Sequence, residues 1–293
     1  MPLLTPEHLH GLKNLALAAR LAAEGLRPGA HASRRGGAGL EFSQYRPYQP
    51  GDDLRRLDWR LAARSDRYYL REAEVETSLP VHLLLDATAS MNHRDSNGLT
   101  KLDYGRLLLA ALAYLAVNQG DAVGLTLLHP AGLRHLPPRA DPRQLPRIYH
   151  ALETAEAAGA FPAAAALAPL TARRQRALTV CVSDLYEAES ELKALLSQLR
   201  ALSGEVLLLH VVARNELEFS YRGAVTFRDL ETGQTLQLDA DQQRPAYQRH
   251  LQAWLRETAQ AARRQGLDYQ QISCAEPVER ALREFLRRRA TAR

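Results

Sequence analysis

The 293-residue sequence has only two cysteines. Two thiols make neither a disulfide framework nor a four-cysteine zinc site, so a reduced, cytoplasmic protein is expected. No run of about eighteen apolar residues occurs, so no membrane span is expected. The N-terminus lacks the basic-then-apolar pattern of a secretory signal. The phosphate loops GxxxxGK[ST] and GxGxxG are missing, as is the GxSxG nucleophile elbow, so these routes to nucleotide binding and serine hydrolysis are excluded. Aromatic residues make up 6% of the chain. Lysine is scarcer still: Lys13, Lys101 and Lys193 are the only ones. Arginine therefore carries the net charge of +5. That excess permits a nucleic-acid partner without arguing for one, and the basic run Arg287–Arg289 reads as a solvated helix end.

What is present fits a soluble globular chain: 46% hydrophobic and 24% charged residues. The length suits one large domain or two small ones. Residues 5–26 read as an amphipathic helix opened by Thr5 and Pro6. Residues 27–40 read as a Gly- and Arg-rich loop, and 67–79 as a strand. From residue 80 the pattern changes. Short apolar runs at 81–85, 122–128, 133–137, 177–183, 205–212 and 268–273 alternate with helical stretches at 101–118, 142–170, 188–202, 246–265 and 276–289. Apolar strands alternating with helices predict an α/β fold: a doubly wound, mainly parallel sheet covered on both faces. Residues 215–240 interrupt the alternation and read as a β-hairpin insertion turning near Gly233. The expected organisation is an N-terminal extension, 1–79, packing on a core domain, 80–293.

In such a sheet, ligands sit beyond the C-terminal strand ends. The first core strand runs into Asp86-Ala87-Thr88-Ala89-Ser90, and another ends at Asp184. A carboxylate with two hydroxyls at alternate positions suits a hard divalent cation such as Mg²⁺. The plainer alternative is that Thr88 and Ser90 cap the following helix while Asp86 bonds loop amides.

Two stretches carry a family resemblance. Leu84–Met91 resembles the Asp-x-Ser/Thr-x-Ser signature of the metal-ion-dependent adhesion site of von Willebrand factor A domains, and Asp184 matches that site's later aspartate. Arg46-Pro47-Tyr48-Gln49-Pro50-Gly51-Asp52-Asp53-Leu54-Arg55-Arg56-Leu57-Asp58-Trp59, continued by Ala63-Arg64, resembles the hallmark of a bacterial family catalogued as domain of unknown function fifty-eight. Glu216-Leu217-Glu218-Phe219, Phe227–Gly233, Asp239 and Tyr247 extend the likeness, which spans about 12–289. The resemblance implies a von Willebrand A-like domain with metal ligands Asp86, Thr88, Ser90 and Asp184. It also implies a protein partner, a MoxR-type AAA+ ATPase, in protein assembly or maturation. The chain departs from the pattern in one place: Glu156–Pro162 puts Ala160 or Phe161 where a third-loop threonine would fall. The implied site is thus incomplete and its Mg²⁺ weakly held.

The hallmark segment alternates Asp52, Asp53 and Asp58 with Arg46, Arg55, Arg56 and Arg64 around Trp59. A salt-bridge network fixing an irregular segment is the favoured reading. Docking through Arg46, Tyr48, Gly51, Asp52, Asp53, Arg55, Asp58, Trp59 and Arg64 is the next, and catalysis the last. The expected function is a non-enzymatic protein-interaction module. The rivals are a metal-assisted hydrolase using Asp86 and Asp184 and an arginine-rich nucleic-acid binder.

Overall fold

The computed structural model describes residues 5–26, 42–48, 68–73, 80–129, 132–162, 176–186 and 189–291. The chain forms two compact units, Gly29–Ser78 and the remainder. In the smaller unit, β1 (Phe42–Pro47) pairs antiparallel with β2 (Tyr69–Ala73). Arg46 stands opposite Leu70 in this ladder. The pairing is extended when the Tyr48 N–H donates to the Tyr68 carbonyl at 2.8 Å, with the two rings edge to face. Gly51, Asp52, Asp53, Arg55, Asp58, Trp59 and Arg64 lie outside the described residues.

The larger unit is built on a six-stranded sheet. Its strands are β3 (Val81–Asp86), β4 (Val123–His129), β5 (Gly132–Arg139), β6 (Ala177–Ser183), β7 (Gly204–Val212) and β10 (Asp268–Ser273). The spatial order is β10-β7-β6-β3-β4-β5. All neighbours are parallel except β5, which returns antiparallel along β4. The sheet is therefore mainly parallel, as the apolar runs predict. β5 differs in kind as well as in direction: it is an edge strand with no fully buried residue, whereas every residue of β3 is buried.

The helices over this sheet are α1 (Pro6–Gly11), α2 (Leu15–Glu24), α3 (Lys101–Asn118), α4 (Gln144–Glu153), α5 (Glu189–Arg200), α6 (Arg214–Glu218), α7 (Ala240–Arg264) and α8 (Val278–Thr291). The segment read as one helix over 5–26 is two. Lys13 adopts a left-handed φ of 49°, and Asn14 restarts the chain by accepting the Leu17 N–H at 2.9 Å. The helix expected over 142–170 ends at Glu153 among the described residues. The insertion begins with α6, and only then come the hairpin strands β8 (Ala224–Arg228) and β9 (Thr235–Asp239). Helix α7 starts at residue 240 rather than 246, because the Asp239 carboxylate caps it by accepting the Asp241 and Gln242 amides at 2.9 and 3.1 Å.

Helix α3 is the central helix of the core. Leu102, Tyr104, Leu107, Leu108, Leu109 and Leu112 are all buried, which matches a sequence apolar on most of its circumference. It approaches the sheet closely at Gly105, where a Cβ would lie 3.0 Å from Leu85 and 3.1 Å from Val182. A capping box fixes the start of α3. The Thr100 hydroxyl accepts the Asp103 amide at 3.0 Å, and the Asp103 carboxylate accepts the Thr100 amide at 3.1 Å. This contact and the close approach together set where the first residue of α3, Lys101, meets the strand ends.

Candidate functional site

Strand β3 pairs with β4 on one side and β6 on the other, so the strand order reverses at β3. Asp86 ends β3 and Asp184 follows β6, at the switch point where open α/β sheets place their ligands. The two aspartates therefore stand at the C-terminal ends of adjacent parallel strands.

Hydrogen bonds join the four candidate ligands. The Thr88 amide donates to Asp86 Oδ1 at 2.9 Å, and the Ser183 hydroxyl to Asp86 Oδ2 at 2.6 Å. The Ser90 hydroxyl donates to Asp184 Oδ1 at 3.0 Å. Because that uses Ser90's one proton, the 3.0 Å contact between Thr88 Oγ1 and Ser90 Oγ has Thr88 as donor. The hydroxyl protons thus run in series toward Asp184. Asp86 and Asp184 are both fully buried. Burial and the nearby Asp184 charge push the Asp86 pKa up to about 6, against the bonds from Ser183 and Thr88.

The loop after α4 runs alongside the Asp86 loop. The Ala158 amide donates to the Ala87 carbonyl at 3.0 Å, and the Ala89 amide to the Gly159 carbonyl at 2.8 Å. This loop brings backbone to the site and no hydroxyl. Thr154, the threonine just before it, turns back and donates to the His150 carbonyl at 2.7 Å.

The sequence reading missed the side chain that completes the site. The Lys101 ammonium donates to Asp184 Oδ2 at 2.9 Å and lies 2.7 Å from Glu216 Oε1. Its side chain is 1% exposed, and it sits 4.4 Å from the centre of the Tyr186 ring. Burial works against the charged lysine, but the Asp184 and Glu216 carboxylates outweigh it and hold its pKa above the ordinary lysine value. Glu216 is itself fixed: its other oxygen accepts the Ala213 amide at 2.9 Å, closing the start of α6. Asp95 anchors the same turn by accepting the Arg214 and Asn215 amides at 2.8 and 3.0 Å.

In this arrangement the residues do not fit a divalent ion. What weighs against an ion is the Lys101 ammonium standing against Asp184; the one bond that each carboxylate oxygen of Asp86 and Asp184 accepts still leaves it a lone pair. Among the described residues no cluster of three or more His, Cys, Asp or Glu side chains is placed to hold a metal.

Beside this network is a cavity of about 540 Å³. Six aromatic side chains line it: Tyr186, Phe219, Tyr221, Phe227, Tyr247 and Trp254. Tyr186 stacks on Trp254 with centroids 4.7 Å apart, and Phe219 packs on Tyr247 at 4.3 Å. Two residues with strained, left-handed backbone flank it: Leu185 (φ 56°), directly after Asp184, and Phe219 (φ 48°), directly after α6. Glu216, Phe219, Phe227 and Tyr247, which carried the family likeness as isolated letters, here share one wall.

A family signature described as "Protein of unknown function DUF58" matches residues 44–257. The chain belongs to the DUF58 family. Uncharacterised proteins of Mycobacterium tuberculosis and Mycobacterium bovis are 26% identical to it over 242 residues, 80% of this chain and 75% of theirs. Among solved structures, BatB from Bacteroides thetaiotaomicron overlays with a TM-score of 0.47 at 14% identity, covering 73% of this chain and 99% of that one. The von Willebrand factor A domain of SpRpn10 overlays with a TM-score of 0.42 at 14% identity, covering 70% and 94%. The DUF58 sheet described above is mainly parallel and flanked by helices. No described helix is long and apolar enough to cross a membrane.

Proposed function

We propose that this DUF58 chain is a non-enzymatic protein-interaction module that docks a partner at the loops beyond β3, β6 and β7. The aromatic cavity carries the reading. A chain with 18 Phe, Trp and Tyr residues puts six of them around one opening beside the strand ends. Tyr and Trp in such settings are the residues that dominate binding energy at protein interfaces. The partner implied by the family resemblance, a MoxR-type AAA+ ATPase, belongs to the proposal, as does a cytoplasmic setting in protein assembly or maturation.

Two observations weigh against the rivals. A hydrolase at Asp86 and Asp184 needs a base for the attacking water, and Lys101, the titratable side chain bonded to Asp184, is held protonated and has no lone pair to offer. A nucleic-acid binder needs arginines gathered on one face. Among the described residues Arg20, Arg106, Arg214, Arg244, Arg280 and Arg287 instead pair with carboxylates one helical turn away.

The test is binding to a purified MoxR-type ATPase from the same organism, measured by calorimetry. Tyr221→Ala and Phe227→Ser, both on the rim, should each weaken binding by about tenfold or more, as truncated interface anchors do. Unchanged affinity in both variants would exclude the cavity as the docking surface.

A further inference from the structure

We propose that Lys101 is the resident cation of this site: its ammonium supplies in-chain the positive charge that a divalent ion supplies in an adhesion-type centre, so the site works without metal. The inference rests on the interaction reading only for its consequence, that a partner engages this edge without a bridging ion.

Asp86, Asp184 and Glu216 bring three carboxylates to one end of the sheet, two of them fully buried. Buried carboxylates near one point need a cation between or beside them. The Lys101 ammonium meets that need with two contacts under 3 Å, one to Asp184 and one to Glu216. The Tyr186 ring lies against it, which suits a desolvated cation.

The position of Lys101 in its helix points the same way. Lysine at the first residue of a helix opposes the helix dipole, which favours anions there. It is also among the residues least often buried. Placing one there at 1% exposure breaks two rules at once, and such breaks mark positions fixed by something other than local stability. The compensation is visible in the two carboxylates.

The third loop, which would supply a further oxygen ligand to a metal, bonds to the Asp86 loop through the backbone of Ala158 and Gly159. Lost hydroxyl and gained ammonium are two halves of one exchange. The exchange also adds a tether. A metal held by Asp86, Thr88, Ser90 and Asp184 would join only the β3 and β6 loops. Lys101 also reaches Glu216, and so fastens α6 and the start of the aromatic wall to the same point.

The isolated chain titrated with Mn²⁺, followed by electron paramagnetic resonance, tests this without any partner. Wild type should show no saturable Mn²⁺ binding to millimolar concentration, and its melting temperature should be unmoved by Mg²⁺. Lys101→Ala should melt lower, and Mg²⁺ should raise its melting temperature. That rise should vanish in the Lys101→Ala, Asp184→Asn double variant. One equivalent of Mn²⁺ bound by wild type and lost in Asp184→Asn would overturn the proposal. A folded Lys101→Ala chain indifferent to Mg²⁺ would overturn it too. If Lys101→Ala does not fold, the wild-type titration with its Asp184→Asn control decides alone. Loss of ATPase binding in the rim variants speaks only to the docking surface, so the two ideas fail separately.

Discussion

Charge is handled in two opposite ways in this molecule. On the helix surfaces, arginine and glutamate meet one turn apart in water; Arg20 and Glu24, with side chains 60% and 44% exposed, are typical. At the strand ends, one lysine and two carboxylates meet with almost no water: Lys101, Asp184 and Glu216 are 1%, 0% and 12% exposed. The contact distances are alike, 2.8 Å against 2.9 and 2.7 Å. What differs is the cost of losing one partner. In water the remaining charge is solvated, whereas in the interior it is stranded. Distance therefore says little about importance, and burial says most.

The sharpest way to break the comparison is Lys101→Met. It removes the ammonium, keeps the volume, and leaves Asp184 and Glu216 facing each other's charge. The expected loss of unfolding free energy is about 3–5 kcal/mol, the usual penalty for breaking a buried pair from one side. Chemical denaturation measures it. Adding Asp184→Asn and Glu216→Gln should recover much of the loss, because no charge is then stranded. A triple variant no better than Lys101→Met would show that the lysine acts through packing and not through charge.

Much of this is legible in the sequence, and the reason is specific. β3 and β6 are short apolar runs that stop at an aspartate, and that pattern gives both the buried strands and the strand-end carboxylates. The adjacency of Asp86 and Asp184 comes from β6 crossing back to pair with β3, and the alternation of strands and helices implies it only when the strand order reverses at β3. Lys101 escapes such a reading, although a signal is present: one of three lysines, directly after a capping threonine, where the dipole disfavours it. Its partners lie 83 and 115 residues further on by position, at Asp184 and Glu216, and no local pattern reports such a meeting. The aromatic wall is hidden for the same reason, since it draws on the β6 loop, the hairpin and α7. The split between α1 and α2 is obscured by something smaller: Asn14 is a readable cap, but it sits inside a leucine-rich period.

The next effect is pH dependence, carried by a buried group next to this site. His210 is fully buried on β7 and bonded to the Tyr269 hydroxyl at 2.6 Å. Burial, opposed by the Asp184 charge, lowers its pKa from 6.5 to about 4. Between these values the unfolded chain takes up a proton that the folded chain refuses, so this group's contribution to stability falls as the pH drops from 6.5 toward 4. At about 1.4 kcal/mol per unit the full loss is about 3 kcal/mol. His210→Phe should flatten that part of the profile, whatever it does to the plateau. Denaturation series at pH 7.5 and 4.5 compare the two chains, and parallel profiles would remove His210 from the account.

The smallest expected effect lies on the other side of the comparison. Arg20→Ala breaks the Arg20–Glu24 pair, and Arg214→Ala breaks the Arg214–Glu218 pair, at 2.8 and 2.7 Å, within the 2.7–2.9 Å range of the Lys101 contacts. The arginine side chains are 60% and 59% exposed, so each remaining glutamate is left in water with its charge solvated. Alanine is also the better helix former, which offsets what little the pair contributed. Neither variant should shift the melting temperature measurably, and raising the salt should leave wild type and variants equally unmoved. Arg214 makes the stricter case. It sits in α6, two residues before Glu216, yet its backbone amide, and not its side chain, is what Asp95 holds. Arg214→Ala keeps that amide and should leave the Lys101 network intact. A clear loss of stability in Arg214→Ala would mean that the surface pair and the buried one act as a unit, and the contrast between them would have to be redrawn.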